Sequence, residues 1–447
     1  MPHLRSLSSR ISVLALAVLP LILFAVTGCG KTDSSSPEAA ASTDQPQEVP
    51  EEKRVPEQLK TIPALVATGK SEEALTTLAS WIGEHPQDPR GYTLRAGVYT
   101  QNGKRDAAVA DLNKAVELAP KDADILHSRG LFFLMHGPQK SARTDFEQSL
   151  KLDPKQHEAA NHLGLIKLSV GEFASSVKDF DVAVANNPNN HSYYNNRGLA
   201  HWRAGNTDLA RADFDAALKV KPQDANALSN RGQLSLQQKK FEEAVSDFTS
   251  AIAIDPYNMA HYRFRHAAYL KLGRLVDAEN NGRHIVWLRK LFQLQDEIRK
   301  QPDNNRLLVQ LGQHFAEEHD DVMALKVFNE LLKKSPNELP ALIGRAQVQM
   351  RKQEFQQVVN DCNAVLQVDP TSFDALSLRG DAWFQLRKYD EAIADFEASQ
   401  RFDRQVSDAY YLRSQQRATA GDQAGADADL AKSKLMAPKL QTADAVE

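Results

Sequence analysis

A proline every 34 residues constrains this chain more than any other feature. Pro86, Pro120, Pro154, Pro188, Pro222 and Pro256 keep that interval, Pro302, Pro336 and Pro370 resume it, and after a skip at Arg404 it returns at Pro438. Proline lacks an N–H and clashes with the preceding helical turn, so each one marks the end of a helix. Self-similarity at a fixed period of roughly 20 to 50 residues signals stacked copies of one supersecondary unit, none of which can bury its apolar face alone. The step from Pro256 to Pro302 is 46 residues, one period plus twelve.

Other positions recur in the same phase. Counting each repeat so that its proline is residue 32, Gly130, Gly164, Gly198, Gly232 and Gly380 stand at position 8, where a small residue lets two helices approach. Ala74, Ala108, Ala142, Ala210, Ala244, Ala278, Ala324, Ala392 and Ala426 occupy position 20. Position 24 is large and apolar in Leu112, Phe146, Phe180, Phe214, Phe248, Phe328, Phe396 and Leu430. Gly69, Gly103, Gly137, Gly171, Gly205, Gly273 and Gly421 fall at the turn between helices, where left-handed backbone angles suit glycine. This pattern, from about residue 55 to 440, resembles the tetratricopeptide repeat family. The resemblance implies an all-α, right-handed α-solenoid of about eleven helical hairpins.

Two repeats depart from the pattern. The first, 55–88, has Ile62 at position 8, a degeneracy expected of a terminal unit. In the seventh, Gly282 replaces the large residue of position 24 and Lys290 the proline, while Ile285, Leu288, Leu291, Phe292 and Ile298 keep helical spacing. The spacing predicts a second helix about three turns too long, and with it a division into repeats one to seven (55–304) and eight to eleven (305–440), followed by a tail (441–447).

The N-terminus reads as an address. Arg5 and Arg10 precede an uncharged apolar run, 11–27, that is broken by Pro20 and is short of the roughly 20 residues a stable span requires. Val26-Thr27-Gly28-Cys29 then resembles the lipobox of bacterial lipoproteins. That resemblance implies a signal peptide at 1–28, cleavage before Cys29, palmitate and related acyl chains on it, and, with Gly30 next, an outer-membrane location facing the periplasm. Residues 29–54, rich in Ser, Ala, Pro and acids, read as a flexible linker.

Composition excludes several functions. A 42% hydrophobic and 25% charged chain with a net charge of -4 is that of a folded protein, and it has no basic stretch with interleaved aromatics, so nucleic acid is not expected as a partner. Of its two cysteines, Cys362 falls at position 24 and reads as a small core hydrophobe. The histidine pairs His157/His162 and His261/His266 are five residues apart, whereas a metal-binding helix face needs four, so no metal or cofactor is expected. No catalytic signature occurs and no small-molecule substrate is implied, so the chain is not read as an enzyme.

Arginine recurs at position 7 (Arg95, Arg129, Arg197, Arg231, Arg265, Arg345, Arg379, Arg413) and aspartate at position 23 (Asp111, Asp145, Asp179, Asp213, Asp247, Asp361, Asp395, Asp429). A ladder of ion pairs follows, with pairing inside a repeat and pairing between repeats both open: the first leaves Arg265 and Asp179 over. The superhelix implied by the family would line a concave groove with positions 2, 5, 6, 9, 12 and 13 of the first helices. In repeats four to seven these include Asn161, His162, Asn195, Asn196, Trp202, Arg203, Ser229, Asn230, Gln233, Arg263 and Phe264. Asn196 and Asn230 resemble the asparagine ladder of the O-GlcNAc transferase superhelix, where amides bond an extended peptide backbone. Pairs such as Asn195 with Leu199 depart from the family's chaperone-tail clamp. The function implied is a membrane-anchored scaffold or adaptor that binds other proteins of the envelope; the alternative is an accessory subunit of an envelope enzyme such as a peptidoglycan hydrolase or protease.

Overall fold

The computed structural model describes residues 56–443; the signal peptide, Cys29 and the linker lie outside them. All the regular structure in that range is helical. Residues up to Glu279 and from Asn280 onward form two compact units. The first contains α1 (Glu57–Lys60), α2 (Ile62–Ala67), α3 (Ser71–Glu84), α4 (Pro89–Gln101), α5 (Arg105–Leu118), α6 (Ala123–His136) and α7 (Gln139–Leu152). It continues through α8 (His157–Ser169), α9 (Phe173–Asn186), α10 (His191–Arg203), α11 (Thr207–Val220), α12 (Ala225–Gln237), α13 (Phe241–Ile254) and α14 (Met259–Lys271). The long α15 (Leu275–Lys300) carries the division. The second unit follows with α16 (Asn305–Glu317), α17 (Asp321–Lys334), α18 (Leu339–Arg351) and α19 (Phe355–Val368), then α20 (Phe373–Gln385), α21 (Tyr389–Ala398), α22 (Arg404–Thr419) and α23 (Gln423–Ala443).

Each repeat is therefore a hairpin, a first helix of about 13 residues and a second of about 14. Its first helix starts at an N-cap set two residues after the proline: Asp122 accepts from the Asp124 and Ile125 amides, Asp224 from those of Asn226 and Ala227, and Asn190 from that of Ser192. Such caps satisfy amide donors that the helix leaves orphaned. The hairpin turn takes a positive φ, 87° at Gly205 and 71° at Gly273. Gly137 is an exception to the expected left-handed turn. It is extended, with φ -128° and ψ -167°, because Pro138 follows it and the residue before a proline is pushed out of helical space.

Position 8 faces position 24 across the hairpin. A methyl group on Gly198 would sit 2.7 Å from the Phe214 ring, and one on Gly164 would sit 2.7 Å from Phe180. The glycine thus lets a phenylalanine lie directly on the helix backbone, and Phe146, Phe180, Phe214 and Phe248 are fully buried as a result. The alanines of position 20 are fully buried beside them, Ala142, Ala210 and Ala244 among them.

The irregular repeats have local causes. Pro63 cannot donate to the Leu59 carbonyl one turn back, and the first helix of repeat one breaks there into α1 and α2, with Ile62 still buried. α15 runs 26 residues where α13 runs 14, twelve more, or about three turns at 3.6 residues each. From Asn280 on, α15 belongs to the second unit, where the Trp287 indole N–H donates to the His314 carbonyl at 2.9 Å and its ring stacks on that imidazole at 4.8 Å, and where Leu291 and Leu294 of the extension are buried. The compact units part at Glu279/Asn280, inside α15, and not at its end near 304 where the sequence places the border. Without a proline at 404, α21 stops after 10 residues and α22 begins three residues early. α23 continues past Pro438 to Ala443, into the expected tail, so this proline, unlike the earlier ones of the series, does not end its helix.

Candidate protein-binding face

First helices of successive repeats touch one another, α8 with α10, α10 with α12, and α12 with α14, so they share one face of the first unit. On that face the side chain at position 5 of one repeat meets position 6 of the next, a separation of 35 residues. Asn196 Nδ2 donates to Asn161 Oδ1 at 2.9 Å, and Asn230 Nδ2 donates to Asn195 Oδ1 at 2.9 Å. One repeat earlier the same rung joins His127 Nε2 and His162 Nδ1 at 3.3 Å. The ladder thus has three rungs, and His127, which sequence reasoning passed over, belongs to it.

These bonds change the role of several expected groove residues. Asn195 and Ser229 are buried at position 5, turned toward the following first helix. Ser229 Oγ lies 3.2 Å from His261 Nδ1 and 3.4 Å from Gln233 Nε2. Asn196 and Asn230 are half-buried, and each bridge uses one N–H of an amide that also carries a second N–H and a carbonyl. Those remaining groups can meet a ligand's backbone. Trp202 donates its indole N–H to Gln237 Oε1 at 2.6 Å and sets its ring edge-on to Phe214, so it too bridges repeats. Phe264 stacks on Phe248 at 5.6 Å with part of its ring uncovered. Arg203 and Arg263 are exposed.

The arginine ladder resolves with geometry the sequence leaves open. Arg231 places Nε 3.0 Å and Nη2 2.6 Å from the two oxygens of Asp247 in its own repeat, while Nη1 reaches Asp215 of the preceding repeat at 2.7 Å. Arg197 does the same with Asp213 and, through Nη1, with Asp181. In the second unit Arg345 forks onto Asp361 and reaches Asn329. Planar guanidinium matches carboxylate in two parallel bonds and has a third edge left over, so one residue closes a hairpin and staples it to its neighbour. The carboxylates beside Arg231 hold its guanidinium above its ordinary value. Asp179, whose arginine is replaced by Leu163, takes Lys167 at 2.7 Å instead, one turn further along α8. Burial pushes the Asp179 carboxyl above its usual range, and Lys167 opposes it. Arg265 reaches Thr249 across repeats at 3.2 Å.

The histidine rung makes stability pH-dependent. Burial pushes His127 down to about 3 and His162 down to about 4, and the pair stacks with Phe146 as neutral imidazoles. Below pH 6.5, the ordinary histidine value, the unfolded chain binds protons here that the folded chain refuses, so stability falls as pH drops from 6.5 toward 4. On the order of 2 kcal/mol per histidine should be lost by pH 5. A His127→Asn/His162→Asn variant, which copies the next rung, should lose less stability between pH 7 and pH 5 in urea unfolding; an identical pH profile would refute this origin.

The remaining candidate chemistry is dispersed by the fold. His157 bonds the Tyr193 hydroxyl at 3.0 Å while His162 faces His127, and His266 takes the Ala278 carbonyl at 2.8 Å while His261 faces Ser229. Five-residue spacing turns each pair to different neighbours. Among the described residues no three His, Cys, Asp or Glu side chains gather as a metal site would require. Cys362 is fully buried, and burial pushes its thiol up to about 12.

The hairpin stack defines an all-helical repeat protein, and three of its segments match tetratricopeptide repeat models. Residues 195–258 and 341–407 match the family described as Tetratricopeptide repeat, and residues 96–137 match the one described as TPR repeat. Neither is a catalytic family. No curated protein matches the chain. Among solved structures it is similar to YrrB, titled a TPR protein with an unusual peptide-binding site, at 22% identity over 42% of this chain and 96% of that one, with a TM-score of 0.38. It is also similar to MamA, at 21% identity over 36% and 94% with a TM-score of 0.35. A third is PilF of Pseudomonas aeruginosa, at 16% identity over 53% and 99% with a TM-score of 0.40.

Proposed function

We propose that this protein is a scaffold held to a bacterial envelope membrane by acyl chains on Cys29, which binds partner proteins through extended segments laid along the first helices of repeats four to seven. The observation that carries the binding role is the amide ladder on that face. Asn196 and Asn230 stand one repeat apart with donor and acceptor groups to spare, which suits a peptide backbone that repeats the same groups along its length. Trp202 and Phe264 beside them offer partly covered aromatic surface, the type of side chain that concentrates binding energy. The anchor rests on the lipobox-like Val26-Thr27-Gly28-Cys29. Each buried methylene of an acyl chain contributes about 0.8 kcal/mol, so several chains hold a protein firmly.

The test is capture of partners from membranes with the wild type and with Asn196→Ala/Trp202→Ala/Asn230→Ala. These side chains also bridge repeats, so an Arg231→Ala variant, destabilised away from the inner face, serves as the comparison. The proposal expects specific partners on wild type and on Arg231→Ala, and their loss from the triple variant. Equal capture by the triple variant would place binding elsewhere. Cys29→Ser should release the protein from the membrane fraction.

A further inference from the structure

The three first helices that close the first unit share a feature that their repeats do not require. α10, α12 and α14 contain no Asp or Glu at all, in a chain whose acids outnumber its bases by four. The two first helices just before them, α6 and α8, each carry an acid, Asp124 and Glu158, while α4 and α18 carry none but stand singly, and the intervening second helices are acidic, with Asp208, Asp213 and Asp215 in α11 alone. Some cations of the acid-free helices are consumed: Arg197 and Arg231 are locked onto their aspartates. Arg203, Arg263 and Lys271 are not. All three are exposed, and none forms an ion pair with a described residue.

Their placement joins them to the ladder. Arg203 follows Trp202 at the end of α10, and the Trp202 to Gln237 bond shows that this end of α10 meets the same end of α12. Lys271 stands one repeat beyond Gln237 at the matching position of α14, and Arg263 precedes Phe264 on the same helix. Three unpaired cations therefore flank a strip of amides and aromatic edges that holds no acid. In water, exposed like charges gathered without partners gain little for stability and raise the local concentration of an oppositely charged ligand.

We infer that the inner face of repeats five to seven selects an acidic extended segment of a partner protein, in which carboxylates meet Arg203, Arg263 and Lys271 while the backbone lies on Asn196 and Asn230. This rests on the proposed binding role of that face and adds the charge class of the ligand. The amide strip and the partly covered rings suit a peptide, and they distinguish this surface from a simple anion-attracting patch.

The experiment is selection from an unbiased random dodecapeptide display library against the wild-type protein and against Arg203→Glu/Arg263→Glu/Lys271→Glu, with the charge of the recovered peptides as the readout. All three side chains are exposed, so unfolding midpoints should match. Wild type should recover peptides enriched in Asp and Glu, whose affinity falls with added salt and drops roughly tenfold or more on the reversed variant, which should itself recover basic peptides. Recovery of the same pool on both proteins, of peptides without charge bias, or of no peptides would overturn the inference. If neutral peptides are recovered and are lost on Trp202→Ala but not on charge reversal, the binding face stands and only its acidic preference fails. A peptide covering this chain's own residues 31–55, with six acids and three bases, is the internal competitor to assay. Binding of that peptide in place of any acidic pool would likewise count against a partner segment.

Discussion

Phe328→Ala should destabilise the second unit by about 3 to 5 kcal/mol, the usual cost of emptying a buried phenylalanine site. The ring is fully buried, and it is gripped from two repeats at once: a methyl group on Gly312 or on Gly344 would come within 2.5 Å of it. Its removal leaves a void against helix backbone on both sides, which cannot collapse without bending α16 or α18. Stacked repeats gain their stability from nearest-neighbour interfaces, so the loss should be concentrated in repeats eight and nine. Hydrogen exchange should show α16 to α18 opening first, beside a lowered urea midpoint. A uniform rise in exchange, or a cost below about 1 kcal/mol, would mean the two glycines do not clasp a common ring.

The second large effect is expected at the arginine ladder. Arg231→Ala should cost about 3 kcal/mol, because Asp247, only 5% exposed, would be left charged and unpaired. The same variant removes the Nη1 bond to Asp215, so adjacent repeats should also uncouple and the unfolding transition should broaden. Replacing both partners by apolar residues, Arg231→Met with Asp247→Leu, should recover most of the loss, since a buried pair offsets little more than its own desolvation. A double variant as unstable as the single one would show that the bond to Asp215, not the fork onto Asp247, carries the effect.

Much of the fold is legible in the sequence because the repeat averages out local ambiguity. One glycine in a helix is weak information; Gly130, Gly164, Gly198 and Gly232 at intervals of 34, each with a phenylalanine sixteen residues later, specify a contact. The long α15 is legible for the same reason, as an interruption of a known period. What the period does not reveal is geometry one residue off it. The rungs from position 5 to position 6 are 35 residues long, so a search in register finds Asn196 and Asn230 and misses His127, and it cannot tell that Asn195 and Ser229 are turned inward. The arginines could not be assigned within or between repeats because the guanidinium does both. Lys167 answers Asp179 from a different position of the helix, a substitution in space that no column of the repeat displays. At the candidate site, the exposed Lys271 lies outside the set that the sequence singles out.

The most direct test of binding on the inner face is a photo-crosslinking amino acid placed at Ala267, which is exposed on α14 among the inner positions, and separately at Leu209, which is exposed on the second helix α11. Irradiation of cells carrying each variant should give discrete partner adducts from position 267 and none from 209. Adducts from 209 alone would contradict binding along the first helices.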